Sequence, residues 1–466
     1  MRLEQDAMGT LELPDEAYWG IVAERHRIAF DVGPMTLDDY ESYVAAVALI
    51  KVACARANAE IGALDTTKAS AIEKAAFEVA EGKFSGHFGI NIFRGSGTPL
   101  NAAVNEVIAH RANELLSGSK TQGGVLPNTH VNMAQSSNDV IPSAKDIVIY
   151  WELTRLINAS ESFCKALTDK AAQTYDVLKL GRTGLQDAVP ETLGQVLTAY
   201  ACGIRRMQQR LCVERERWCR SCLGGTAVGT GMGCLPGFRA TVHRHLSDVL
   251  GRPMMPEENL MDGMMAVDGI ILAHAHIVAL ANQVWKVARD IRIMAGGTCS
   301  GLREIRIPAR KRGEDDYCER LITATNRVTA NNSAVLMGLQ SGWLDLGASS
   351  GIPIRAIIES SRTLSGCMDN FSRIIIPGIE ANTQHCADMA NMSASLSTVI
   401  STICGYQQGS RVAHYAMEHQ ISVKQAALEL RVLPPEVIEE LFELGNLVDS
   451  EQMEALFHKY RHLRTI

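Results

Sequence analysis

Three stretches of this 466-residue chain are crowded with short hydroxyl and amide side chains. They are RGSGTPLNAAVNEVIAHRANELL (94–116), LPNTHVNMAQSSNDVIPSAKD (126–146) and LGRTGLQDAVPETLG (180–194). In each, Ser, Thr or Asn falls just ahead of a helical pattern. Such residues cap the helix, or they join the exposed N–H groups of its first turn in holding an anion. Several such helix starts brought together would bind a small carboxylate. A fourth stretch, LGGTAVGTGMG (223–233), is glycine-rich but carries neither GxGxxG nor the lysine of a phosphate loop. A fifth, IPARKRGEDDYCERL (307–321), holds eight charged residues in fifteen, against 21% for the chain. It reads either as a reactive loop or as a solvated connector.

The elements that must position these groups are helical. Aromatics are 5% of the chain and prolines number 14, so the core is aliphatic and the helices are long. Residues 37–60 and 102–117 carry helical patterns, while 94–99 and 121–128 read as loops. From about 140 to 395 the pattern is almost entirely helical. In 265–294, Ile270, Ile277, Val284 and Ile291 recur every seven residues, with Ala273, Leu280, Val287 and Met294 three later. That is the seam of a bundle helix. Its other faces are apolar or small as well, which predicts a bundle shared between subunits. His274 and His276 on this helix read as packed core histidines. The last 70 residues read as short helices broken at Pro434–Pro435. The expected division is 1–139, mixed and mainly helical; 140–396, long helices; and 397–466, a small helical domain.

Net charge is −7, with no basic block, which argues against a nucleic-acid partner. No run reaches the roughly 18 apolar residues of a membrane span, and the first residues lack a signal-peptide layout, so the expectation is a cytoplasmic protein with no membrane partner. The 12 cysteines read as reduced thiols. Cys219 and Cys222 form one CxxC, but nothing completes a zinc site, so no metal is expected.

The chain resembles the aspartase/fumarase superfamily, in particular its class II fumarase and aspartase branch. RLEQDAMGTLELPDEAYWG, GSGTPLNAAVNEVIAHRANE, PNTHVNMAQSSNDVIPSA, GRTGLQDAVPETLG, GGTAVGTG, GLREIRIP and ICGYQQGSRVAHYA carry the likeness in collinear order. The resemblance implies a mainly α fold built on a homotetrameric core of twenty long helices, with each active site shared between subunits. It implies reversible elimination from a small dicarboxylate or amino-dicarboxylate, with no cofactor. By the same likeness Ser96, Thr98, Asn101, Ser136, Ser137, Asn138 and Thr183 fall at substrate-contacting positions, and Gln186 at a motif position.

The chain also departs from the family pattern. Gly184 follows Thr183 where the family has a histidine. Pro99 and Leu100 replace a polar pair, Leu126 a histidine, Thr129 an aspartate, Val140 a frequent threonine and Cys299 an arginine. Most telling is the stretch after Gly313, where the family has a loop carrying a serine base and a carboxylate-holding lysine and asparagine. EDDYC fills that place, and a loop shortened by about eight residues cannot close over a site in the same way. Two readings follow. One is a divergent lyase whose base is drawn from Glu319, Tyr317 or Asp316, with Asp315 and Cys318 as further candidates. The other is a relative without turnover that binds a dicarboxylate or partners an active paralogue.

Overall fold

The structure is a computed structural model that describes residues 1–29, 31–297, 299–308, 316–347 and 351–464. Its helices include α1 (Ile21–Ala29), α2 (Glu41–Glu60), α3 (Thr66–Ala80), α4 (Thr98–Ser117), α5 (Ser137–Gln173), α6 (Leu193–Glu216), α7 (Phe238–Leu250), α8 (Asp268–Met294), α9 (Tyr317–Leu339) and α10 (Ile352–Asn370). Two compact units divide the chain. The first comprises 1–158, 207–281 and 324–365; the second comprises 159–206, 282–323 and 366–466. Helices α5, α6, α8, α9 and α10 each continue from one unit into the other along the chain.

In the first unit, the antiparallel pair β1 (Arg2–Asp6) and β2 (Gly9–Leu13) precedes α1. Helix α2 packs against α3 and α7, and α3 against α4. Its alanines at 46, 48, 53, 55 and 57 are buried, so neighbouring backbones approach closely. Glu106 on α4 fixes where α1 begins. Its carboxylate accepts from the N–H groups of Gly20 (3.0 Å), Val22 (2.9 Å) and Ala23 (3.0 Å), while Glu4 accepts from Ile21 N–H (2.8 Å). Position 20 must be glycine, since a Cβ there would lie 2.6 Å from Glu106 Cδ. Glu106→Ala would strand three buried donors, and is expected to cost about 3 kcal/mol. Thermal melting checks this; an unchanged midpoint would remove Glu106 from that role.

Seven of the eight seam residues on α8 are buried, Ala273, Ile277, Leu280, Val284, Val287, Ile291 and Met294, while Ile270, the first, is half-buried. His274 is also buried, with Nδ1 3.1 Å from Asn332 Oδ1 and Nε2 3.1 Å from Ser360 Oγ, the packed, hydrogen-bonded state expected of it. His276 places Nδ1 3.6 Å from Glu214 Oε2. One sequence expectation needs correction. Leu37–Glu60 and Asp268–Met294 are long and apolar enough to cross a membrane, with mean hydropathy of 1.2 and 1.3 over their best windows. The first window is 72% buried, as a core helix would be; the second is 39% buried.

The second unit holds the other correction. The stretch 180–194 is not a loop interrupting helices. It lies mostly in a β-hairpin, β3 (Leu178–Thr183) against β4 (Gln186–Thr192), with an irregularity between Leu180 and Arg182. Only Gly184 and Leu185 connect the strands, both with positive φ (57° and 64°). That is the backbone of a tight two-residue hairpin turn. Towards the C-terminus, residues 396–460 enclose their own apolar cluster around Ile400, Val412, Ala426 and Ile438. Three helices, Tyr406–His419, Val423–Glu429 and Pro435–Leu441, cover the stretch read as short helices. Pro435 sits at the first helical position, where its missing N–H costs nothing.

Candidate functional site

Two helix starts meet in the first unit. Thr98 opens α4 and Ser137 opens α5, and their hydroxyl oxygens lie 3.1 Å apart. Thr98 is exposed and Ser137 half-buried. Neither hydroxyl is a cap. The α4 cap position is Gly97, which offers no side chain, and the α5 start is capped by its neighbours. There Ser136 Oγ accepts from Asn138 N–H (3.2 Å), and Asp139 Oδ1 accepts from Ser136 N–H (2.9 Å). This reciprocal cap leaves the Thr98 and Ser137 hydroxyls free of any capping role and paired with each other. Helix starts with nearby hydroxyls are places at which proteins can hold an anion.

Asp139 ties this start to the glycine-rich stretch. Its Oδ2 accepts from Gly224 N–H (3.2 Å) and Thr226 N–H (2.9 Å). Burial raises its pKa to about 6 against the pull of these N–H groups. Asn138 Nδ2 donates to Ala227 O (2.9 Å), fastening the same stretch a second time. Two glycines of the stretch combine a left-handed backbone with a close neighbour. A Cβ on Gly229 (φ 88°) would meet Met261 backbone at 2.6 Å, and one on Gly231 (φ 77°) would meet Arg239 Nη2 at 2.6 Å.

The remaining first-region residues lie deeper. Ser96 is 1% exposed, and its Oγ has no hydrogen-bond partner among the described residues. Asn101 is 5% exposed. Its Oδ1 accepts from Lys51 Nζ (2.7 Å) and its Nδ2 donates to Asn132 Oδ1 (3.1 Å), so it supports the floor beneath Thr98. Lys51 completes that floor by donating to Asn132 Oδ1 (2.9 Å) and Gln135 Oε1 (2.8 Å). Pro99, Leu100 and Val140, which replace polar family residues, are buried, so these departures are core packing.

In the second unit, Thr183 and Gln186 face each other as the last pair before the hairpin turn, both exposed. The base of the hairpin is held firmly. Arg182 Nη1 donates to Glu304 Oε1 (2.6 Å), and Lys179 Nζ lies 3.0 Å from Glu191 and 3.6 Å from the buried Glu304. Ser393 Oγ donates to Ala188 O (3.1 Å).

Of the three candidate bases, Asp316 is occupied twice. Its Oδ1 accepts from Cys318 N–H (2.8 Å), capping α9, and its Oδ2 lies 3.0 Å from Arg292 Nε. Tyr317 is half-buried, with the Arg320 guanidinium 5.3 Å from its ring centre. Glu319 is exposed in the first turn of α9. Cys318 is buried, and its thiol is pushed up to about 12. Asp315 and the rest of 309–315 lie outside the described residues. Among the described residues, no group of three His, Cys, Asp or Glu is arranged to hold a metal ion. Cys219 and Cys222 are free thiols, and buried Cys222 Sγ bonds to Asp139 O (3.5 Å).

Sequence reasoning passed over Lys51, Asn132, Gln135 and Asp139. For Asp139 a signal existed, since a serine followed three residues later by an acid is a capping pattern. For Lys51 the signal was a lone charge in the apolar run VALIKVACA.

The long helices and the paired starts of α4 and α5 agree with the fumarase-type lyase that the sequence resembles. A lyase family profile matches residues 9–314, and a fumarase C C-terminal profile matches 396–449. The class II fumarate hydratase of Bordetella parapertussis is 33% identical over 464 residues, covering 97% of this chain and 99% of that one. The mitochondrial fumarate hydratase of Rhizopus oryzae is 35% identical over 465 residues, covering 97% and 93%. Among solved structures, a fumarate lyase:delta crystallin from Brucella melitensis bound to cobalt superposes with a TM-score of 0.90 at 30% identity, covering 98% of this chain and 99% of that one. The class II fumarase of Schistosoma mansoni also gives 0.90, at 26% identity and the same coverage. The chain belongs to the aspartase/fumarase superfamily of lyases.

Proposed function

We propose that this protein eliminates a leaving group from a succinyl-type dicarboxylate or amino-dicarboxylate, or adds one in reverse, using a base other than a loop serine. The observation that carries this is the 3.1 Å approach of Thr98 and Ser137 at the starts of α4 and α5. In the forward direction a proton leaves the carbon beside one carboxylate, charge spreads onto that carboxylate, and the group on the adjacent carbon departs with its electron pair. The product is an unsaturated dicarboxylate. Donors fixed where charge develops are the main catalytic resource of such a step. Relatives described as fumarate hydratases support the substrate class.

Glu319 is the base in this reading. Asp316 is engaged at the start of α9, and Tyr317 sits under Arg320. The active unit is a homotetramer with sites shared between subunits, supported by the partial burial of apolar α8, whose Leu272 is 41% exposed.

The test is an assay of the purified protein with malate, L-aspartate, argininosuccinate, and fumarate plus amines, following fumarate by ultraviolet absorbance. Turnover by the wild type, lost in Glu319→Gln with succinate binding intact, supports the proposal. The double engagement of Asp316 favours a second reading, a dicarboxylate-binding relative without turnover. Succinate binding with no turnover of any of these compounds would establish it in place of the first. Absence of both binding and turnover would overturn both.

A further inference from the structure

The mechanism above gives no role to the buried charge of Lys51. Lys51 on α2 is 0% exposed. Its three donors go to the amide oxygens of Asn101 (2.7 Å), Asn132 (2.9 Å) and Gln135 (2.8 Å). No carboxylate lies within ion-pair distance among the described residues. A buried ammonium solvated only by amide dipoles is costly, and proteins normally pair it. Its place is specific. Asn101 stands one turn into α4 from Thr98, and Gln135 stands two residues before Ser137. The cation is thus bonded beneath both helix starts that form the anion site.

We propose that Lys51 is a positioning residue for the dicarboxylate site: an internal positive charge, fixed under Thr98 and Ser137, that attracts the bound substrate carboxylate, its one nearby carboxylate among the described residues, Asp139, lying beyond ion-pair distance. The inference rests on the proposed dicarboxylate reading. It assigns to the protein's interior the attraction that the family pattern places on a loop lysine, a residue this chain lacks. Lys51 touches the ligand only through Asn101 and the α4 and α5 starts.

Proton linkage separates this role from a merely structural one. Burial lowers Lys51 to about 8. The other titratable groups acting on it are Cys54 on α2 and Asp139 on α5. Cys54 is held as a neutral thiol because burial raises its pKa, and Asp139 is ionised above about 6. Lys51 is therefore the group of this cluster that titrates between about pH 7 and 9.5. A bound carboxylate favours the ammonium and raises its pKa, so binding takes up a proton in that window, and affinity falls as pH rises through about 8.

The experiment is calorimetric titration of the full-length protein with succinate from about pH 6.5 to 9.5, repeated in two buffers of different ionisation enthalpy, for wild type and Lys51→Met. The expected result is proton uptake near pH 8.5 in the wild type, with affinity falling about tenfold across the window. Lys51→Met should bind about tenfold more weakly at pH 7, with no uptake and a flat profile. Circular dichroism establishes whether that variant folds; if it does not, the wild-type uptake and pH profile decide alone. Succinate binding with a flat profile and no proton uptake overturns the role of Lys51 and leaves the proposed function standing. Absence of succinate binding at every pH overturns the proposed function, and this inference with it.

Discussion

Thr98→Ala and Ser137→Ala are each expected to lower turnover by about 10²–10³, the usual consequence of removing one donor from a charge-stabilising set. The two hydroxyls stand 3.1 Å apart and neither caps a helix, so their loss removes chemistry without removing structure. Melting midpoints should therefore move little, because surface changes away from caps and cores stay within about 0.5 kcal/mol. Since they serve one charge, the double variant should fall short of the product of the two single effects. Succinate affinity should also drop, by about tenfold for each lost hydrogen bond to a charged group. The measurements are kcat/KM on the best substrate, succinate titration and differential scanning calorimetry on the same samples. A single variant with unchanged kcat/KM and unchanged affinity would place the ligand elsewhere.

Asp139→Ala should act in the opposite manner, through structure. Its carboxylate accepts from the N–H groups of Ser136, Gly224 and Thr226. Removing it leaves three donors, two of them buried, without their acceptor, at a cost of about 3 kcal/mol. Asp139→Asn keeps an amide oxygen that can accept one or two of those bonds and should cost less than Ala, though more than nothing, because its amide nitrogen faces N–H groups from which it cannot accept. The expected order of melting midpoints is wild type, Asn, Ala. Proteolysis of the 223–233 stretch should become easier in that same order. Equal midpoints for wild type and Ala would mean that the glycine-rich stretch is held by other contacts.

The contrast between these two predictions shows which parts of the site were legible in the sequence. The seam on α8 was, because a seven-residue apolar repeat has one physical meaning in a long helix and burial follows it at every seam position after Ile270, which is half-buried. The helix starts were also legible, because hydroxyls ahead of helical patterns have two uses, capping or binding. Which use applied was not. Ser136 caps while Ser137, its neighbour, pairs with Thr98, and only the reciprocal bond with Asp139 separates them. The hairpin at 178–192 was hidden for another reason. Two-residue hairpin turns usually advertise themselves with Asn-Gly or Asp-Gly. Here the turn is Gly184-Leu185, and leucine at φ 64° is not a residue from which a left-handed backbone is read. Lys51 was overlooked because a lysine within a helical pattern ordinarily snorkels to solvent. Its burial depends on Asn101, Asn132 and Gln135, which lie 50, 81 and 84 residues away in the chain.

The glycine-rich stretch also bears on how such a protein can change over generations. At Gly229 and Gly231 any side chain meets two obstacles at once, a left-handed backbone and a neighbour within 2.6 Å. Few mutational steps are open there, and each would disturb the bonds to Asp139 that shape the α5 start. The hairpin tip is the reverse. Gly184 has nothing within 4 Å of its absent Cβ, and Leu185 is 71% exposed. At the tip only the left-handed backbone resists a new side chain, and Leu185 already carries one at φ 64°, whereas at Gly229 a neighbouring backbone stands in the way as well.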